Sequence, residues 1–292
     1  MKFNPKKLLL IAAILFISKS LAAQTIVVAD TLQGWKQTWV ANLNGSQAAY
    51  NNWSEGGVNT VSGAASTVFT RMYRKDRYSF GFRTNLRYGQ SRIEGQTRKS
   101  DDLISMRIRN TYDLQDDSNV AAYGALQFRT QFADGYDYEA KLNPAGEDSL
   151  ISGFFAPAYL TEEIGLEYNP NSHFQIAGGL ALKQTFISDG DLSPNYGLPQ
   201  GDTFRSEGGV STSISYQNQI AENIQYSSNL ETFTNFLIPI SETDVFWANE
   251  LVGQINSLIS ASFQYEMRYD NDFSSEVQIK QVLSAGISVN LY

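Results

Sequence analysis

Arg77-Tyr78-Ser79-Phe80-Gly81-Phe82-Arg83-Thr84-Asn85-Leu86-Arg87-Tyr88-Gly89-Gln90-Ser91-Arg92-Ile93-Glu94 divides into two interleaved sets. Tyr78, Phe80, Phe82, Thr84, Leu86 and Tyr88 alternate with Ser79, Gly81, Arg83, Asn85, Arg87 and Gly89. A helix would mix these sets around its circumference, whereas a strand sends successive side chains to opposite faces. The stretch therefore predicts a strand with one apolar and one wet face.

The same code recurs along the chain in about twelve segments of about 10 to 16 residues, separated by turn clusters. Ile104, Met106, Ile108 and Tyr112 alternate with Ser105, Arg107, Arg109 and Thr111; Leu126 and Phe128 with Gln127 and Arg129. Further on, Ile164, Leu166 and Tyr168 oppose Glu163, Gly165 and Glu167, and Leu230 and Thr232 oppose Asn229 and Glu231. The connections after even-numbered segments are tight, and those after odd-numbered ones generally longer, with polar loops expected at 95–101, 134–152 and 188–203. Short turns on one side and longer loops on the other are the asymmetry of outer-membrane barrels. An even strand number lets the first and last strands pair, so that no edge stays open in lipid. The expected fold is all-β: an up-and-down antiparallel transmembrane β-barrel of about twelve strands, with both termini periplasmic. A soluble sandwich would also alternate, but with more Val, Ile and Leu and fewer aromatics at strand ends. Tyr78, Tyr88, Tyr112, Tyr168, Tyr216, Tyr226 and Tyr269 lie towards the ends of alternating runs, as an interfacial girdle requires.

Ahead of these strands, Lys2, Lys6 and Lys7 precede an apolar run from Leu8 to Ile17 and small residues from Ser20 to Ala23. That order reads as a cleaved export signal over 1–23, leaving a short periplasmic segment at 24–34 and the barrel at 35–292. The signal holds four of the 22 lysines and arginines and none of the 30 acids, so the remainder carries 18 basic and 30 acidic side chains, net −12. Nucleic-acid binding needs a basic footprint and is not expected. With no cysteine there is neither a disulfide framework nor a thiolate site.

Trp53-Ser54-Glu55-Gly56-Gly57-Val58-Asn59, Trp247-Ala248-Asn249-Glu250-Leu251, Tyr269-Asp270 and Gln278-Ile279-Lys280-Gln281-Val282-Leu283 resemble a Bacteroidetes family classed as a domain of unknown function. The resemblance implies export and an outer-membrane barrel, and brings no catalytic residues with it. The terminal Ser284-x-Gly286-x-x-Val289-x-Leu291, followed by Tyr292, looks like the insertion signal that barrel-assembly machinery reads.

Catalytic chemistry is sparse. His173 is the one histidine, opens a strand beside a turn, and has no Ser or acid placed to complete a barrel lipid hydrolase. Acid pairs such as Glu162-Glu163, Asp101-Asp102 and Asp116-Asp117 lack calcium-loop spacing. No cofactor or metal is expected, and the chain is read as a non-enzyme. The informative constellation is on the inner phase: Arg83, Arg87, Arg107, Arg109 and Arg129 on three consecutive strands, with Arg71 a candidate to join them, and Glu163, Glu167, Glu231 and Glu250 further round. Such walls set a field that biases which solutes pass. The expected partners are outer-membrane lipid, the assembly machinery and a small polar or charged solute, with the basic wall as selectivity element of a narrow passive pore. The alternative is a non-conducting barrel whose external loops meet a partner.

Overall fold

The computed structural model describes residues 26–48, 59–93, 95–116, 118–138, 148–272 and 274–292. The expected export signal and Trp53 to Val58 lie outside the described residues. The strands in chain order are β1 (Gly34–Ala48), β2 (Thr60–Lys75), β3 (Tyr78–Ile93), β4 (Gln96–Asp113), β5 (Val120–Thr130), β6 (Gly135–Asp137), β7 (Ser149–Ser152) and β8 (Ala158–Asn171). They continue as β9 (Phe174–Phe186), β10 (Phe204–Ala221), β11 (Ile224–Asn235), β12 (Asp244–Gln254), β13 (Ile259–Asp270) and β14 (Ser274–Asn290). Twelve of them close an antiparallel barrel in the ring order β1-β14-β13-β12-β11-β10-β9-β8-β5-β4-β3-β2, while β6 and β7 form a separate hairpin. The fold class is the one the alternation predicts.

The phase is also as expected on most strands. Leu43, Ile164, Leu180, Ile279 and Leu283 are 62%, 66%, 57%, 59% and 81% exposed, all on the outward phase. Arg83, Arg109, Glu167 and Asn229 on the inward phase are 5%, 6%, 4% and 2% exposed. An outer face this apolar and this bare is a liability in water and a match for hydrocarbon. Aromatics cluster near its edges: Trp35 lies 4.8 Å from Tyr73, which lies 6.4 Å from Tyr78, and Tyr216 lies 6.1 Å from Tyr226. Arg71 departs from expectation. It faces outward, its guanidinium 4.3 Å from the Trp35 ring centre, because the Gly63-Ala64-Ala65 run leaves the phase of β2 unmarked by side-chain type.

β1 starts and β14 ends at the end of the barrel that carries the tight turns between β2 and β3, β4 and β5, and β8 and β9; the other is the loop end. Three differences appear at the loop end. The stretch 95–101 is almost wholly strand, since β3 and β4 run on with Ile93 paired to Gln96. Its two polar faces mark strand emerging into water, a composition that resembles a loop. The stretch 134–152 holds the β6–β7 hairpin. The stretch 188–203 folds over a 3-10 turn, Gly190–Tyr196, where Leu192, Tyr196 and Leu198 pack with Ala156 and Ile187 into a small core. Burial pushes the Tyr196 phenol up, and its hydroxyl donates to the Ile151 carbonyl at 2.9 Å.

The ring closes between its first and last strands through five register pairs, Val40↔Asn290 to Asn44↔Gly286, against fifteen between β1 and β2. Gly286 stands at that seam: a Cβ there would fall 2.2 Å from the Leu43 carbonyl oxygen and 2.2 Å from Asn44 Oδ1. Gly286→Val should therefore cost about 1–3 kcal/mol through overpacking, lowering the temperature at which the heat-modifiable, compact band converts to the unfolded band in detergent gels. An unchanged conversion temperature would mean that the close approach is not needed to shut the ring.

Candidate functional site in the lumen

A strand pair with like charges directly opposite is unfavourable, yet Arg83 on β3 faces Arg107 on β4 in register. Partners across the barrel offset the conflict. Arg107 donates to Glu231 Oε1 at 2.5 Å and to Gln127 Oε1 at 2.5 Å. Glu231 is on β11, five strands round the ring of twelve from β4, so this ion pair spans the lumen close to its full width. Arg83 shares the wall of a mid-barrel cavity of about 110 Å³ with Glu250. Gln264 Nε2 donates to Glu250 Oε1 at 2.9 Å, and Asn229 Nδ2 to Glu231 Oε1 at 2.9 Å, which holds both carboxylates in the interior.

Towards the loop end, Arg87 reaches Asp101 at 3.3 Å and Glu266 on β13 at 3.3 Å, and Lys280 on β14 reaches Asp101 at 2.7 Å. Lys183 on β9 pairs with Asp244 at 2.5 Å and Asp270 at 3.5 Å. Towards the turn end, Arg109 forms an ion pair with Glu167 and sits 3.8 Å from the centre of the Tyr123 ring, whose hydroxyl is 3.4 Å from Glu163 Oε2. Arg74 pairs with Asp113 at 2.5 Å and with Asp30 at 3.4 Å. Apart from Arg71, which faces outward, the inner-phase charges named from the sequence thus lie on the inward side of the strands. The arginines do line one arc, but Arg87, Arg107 and Arg109 are each matched by a carboxylate. The interior is a set of charged crossbars between separate cavities, and its potential is mixed.

Arg129 is placed differently. It lies near the loop end of β5, with its guanidinium carbon 5.3 Å from the Phe246 ring centre, and Arg268 approaches the same ring at 5.6 Å. Arg268, Glu266, Asp270 and Lys183 were absent from the sequence-derived set. Their inward phase was legible, but nothing local marks a residue whose partner lies several strands away.

The turn-end mouth is narrowed by residues 26–30. Ile26 is 4% exposed, and a Cβ at Gly81 would fall 2.2 Å from Ile26 Cγ2, so the absent side chain of Gly81 is the notch that Ile26 fills. Residues 26–30, with Arg109 and Glu167, line a small cavity of about 30 Å³ there.

Other candidates are dispersed. His173 is at the β8–β9 turn with Nδ1 3.1 Å from the Gln217 carbonyl oxygen. Glu162 faces out and Glu163 in, so that pair converges on nothing. Asp117 lies outside the described residues. Of the proposed insertion signal, Val289, Leu291 and Tyr292 are 42%, 50% and 74% exposed, and the Leu291 N–H donates to the Trp39 carbonyl at 2.7 Å.

Residues 46–136 match a family described as a protein of unknown function (DUF3078). No curated protein matches the chain in sequence. Among solved structures, the chain is similar to an outer membrane channel, COG4313, from Pseudomonas putida F1, at 10% identity over 91% of this chain and 99% of that one, with TM-score 0.41. It is similar to the translocator domain of the autotransporter NalP from Neisseria meningitidis at 10% identity, 89% of each chain and TM-score 0.39. It is also similar to the KdgM porin in complex with disordered oligogalacturonate at 8% identity, 86% of this chain and 97% of that one, and TM-score 0.35.

The Arg107–Glu231 crossbar can be tested by stability. Arg107→Met strands Glu231 in the interior and should lower the unfolding free energy by about 3 kcal/mol, while Arg107→Met with Glu231→Leu should recover most of it. Urea titration in detergent micelles followed by tryptophan fluorescence measures both. A double variant no more stable than the single one would remove the crossbar from the account.

Proposed function

We propose that the chain resides in an outer membrane, with its turn end periplasmic, and forms a narrow passive pore for small polar or charged solutes. Its barrel offers lipid an apolar outer face and offers solutes a charged interior, a division useful only where hydrocarbon lies outside and water inside. The observation that carries the pore reading is the succession of cavities along the lumen. One of about 420 Å³ at the loop end and one of about 110 Å³ at mid-barrel are separated by Arg87 and Glu266, which line both. Among the described residues, the Arg87 and Glu266 side chains, which can swing, stand between the loop-end cavity and the barrel centre. Twelve strands lie between the filled eight-stranded barrels and the open sixteen-stranded porins, consistent with a lumen that side chains nearly bridge.

In this reading the crossbars select. A solute advances by exchanging its hydration for the fixed charges of Arg87, Glu266, Arg83 and Glu250, which favours small ions and polar molecules that can replace one partner at a time. Ile26 and its neighbours are the last obstacle at the turn end. The competing reading, a non-conducting barrel that presents its loops to a partner, draws support from the ordered cluster around Tyr196 at the loop end.

Planar-bilayer recording of the folded protein is expected to show a conductance well below that of a sixteen-stranded porin. Removal of residues 26–30 should raise it. Arg87→Gln leaves Glu266 without its cation and should shift reversal potentials under a salt gradient towards cation selectivity. Absence of current from both the whole and the trimmed protein, with the barrel folded, would favour the non-conducting reading.

A further inference from the structure

We propose that Arg129, Arg268 and Phe246 form a binding site for a small organic carboxylate that enters from the loop end. The inference rests on the lumen being reachable from that end, and it goes beyond passive conduction.

β5 and β13 are six steps apart in the ring of twelve, diametrically opposite, yet their arginines converge on one ring from β12. Two guanidiniums brought together in a partly dehydrated interior repel each other unless an anion joins them. The cations around them are already matched. Within the loop-end cavity, Arg87 is paired with Glu266 and Asp101, Lys99 with Asp102 at 3.2 Å, and Lys280 with Asp101. Among the described residues, no carboxylate lies within ion-pair distance of Arg129 or Arg268, and the Phe246 ring is the contact both share. Both arginines line two cavities, of about 420 Å³ and about 150 Å³.

Guanidinium forks fit the two oxygens of a carboxylate, and a pair of them can hold it from both sides. The rest of the ligand is set by the smaller cavity. Tyr159, Phe233 and Phe246 contribute aromatic surface; of the acids that share its wall, Asp244 and Asp270 are held by Lys183, Glu231 is paired with Arg107, and Glu163 lies 3.4 Å from the Tyr123 hydroxyl. A volume of this order admits one six-membered ring. The site therefore suits an anion with a compact apolar body, bound with its carboxylate at the arginines and its body against the rings.

Full-length folded protein in detergent micelles, titrated by calorimetry with sodium benzoate, benzyl alcohol and inorganic phosphate, tests this. Benzoate is expected to bind more tightly than either of the other two. Arg129→Gln with Arg268→Gln should weaken benzoate roughly tenfold or more, and Phe246→Leu, which leaves both charges in place, should weaken it while sparing phosphate. Heat-modifiable migration confirms that each variant is folded. Benzyl alcohol binding as well as benzoate would overturn the role of the arginines, and phosphate binding as well as benzoate would overturn the role of the rings. Benzoate binding that survives in the folded double-arginine variant would overturn the site itself. Because binding is read without current, a non-conducting barrel that takes up benzoate would reject the pore and leave this site standing.

Discussion

Backbone amides at lipid depth have no water to bond with, and the architecture of this chain follows from that. Each N–H and C=O left open in hydrocarbon costs several kcal/mol, so strands can enter only as part of a closed ring. Closure then fixes the rest. It requires an antiparallel meander with short turns at one end, it forces alternate side chains outward into lipid, and it leaves the remaining half enclosed with one another. What those enclosed side chains do is the functional question, because an interior ringed by strands is neither a dry core nor bulk solvent.

This chain fills the interior with charge in nearly balanced pairs. Arg107 with Glu231, Arg87 with Glu266 and Lys183 with Asp270 each join strands at least four steps apart in the ring. Buried ion pairs add little net stability, since desolvation offsets most of their attraction. They do hold opposite walls at fixed separation while keeping the centre polar, which an apolar filling would not. The same preference for pairing makes the exception at Arg129 and Arg268 informative: among the described residues, these two cations share the Phe246 ring and have no carboxylate within ion-pair distance.

The fold was legible because its signal is local and repeated. Tyr78 to Tyr88 states the two-face code in eleven residues, and each later strand restates it, so even a blurred instance such as β2 is carried by its neighbours. Arg71 shows the limit: on a strand whose Gly63 to Ala65 have almost no side chain, phase cannot be read from type. Height is less legible than phase, since Lys99 to Asp102 have loop-like composition but strand geometry. The members of the lumen set could be read, but their pairing could not. Whether Glu231 meets Arg107 depends on ring size and stagger, quantities spread over the whole chain. Ile26 was hidden for a similar reason, because its place is defined by a missing side chain at Gly81.

The seam between β1 and β14 makes the ring unequal around its circumference. Five register pairs, continued by the backbone hydrogen bonds of Trp39 with Leu291 and Tyr292, hold it where neighbouring joints have ten or more pairs, and beside it Leu283 is 81% exposed. A cylinder with one lightly stitched joint has a preferred line of fracture. Were it to part, the backbone bared along β14 would be a template on which a foreign strand can be laid. In mechanical terms the wall has a latch, and at Gly286 its two edges come close enough to leave no room for a side chain.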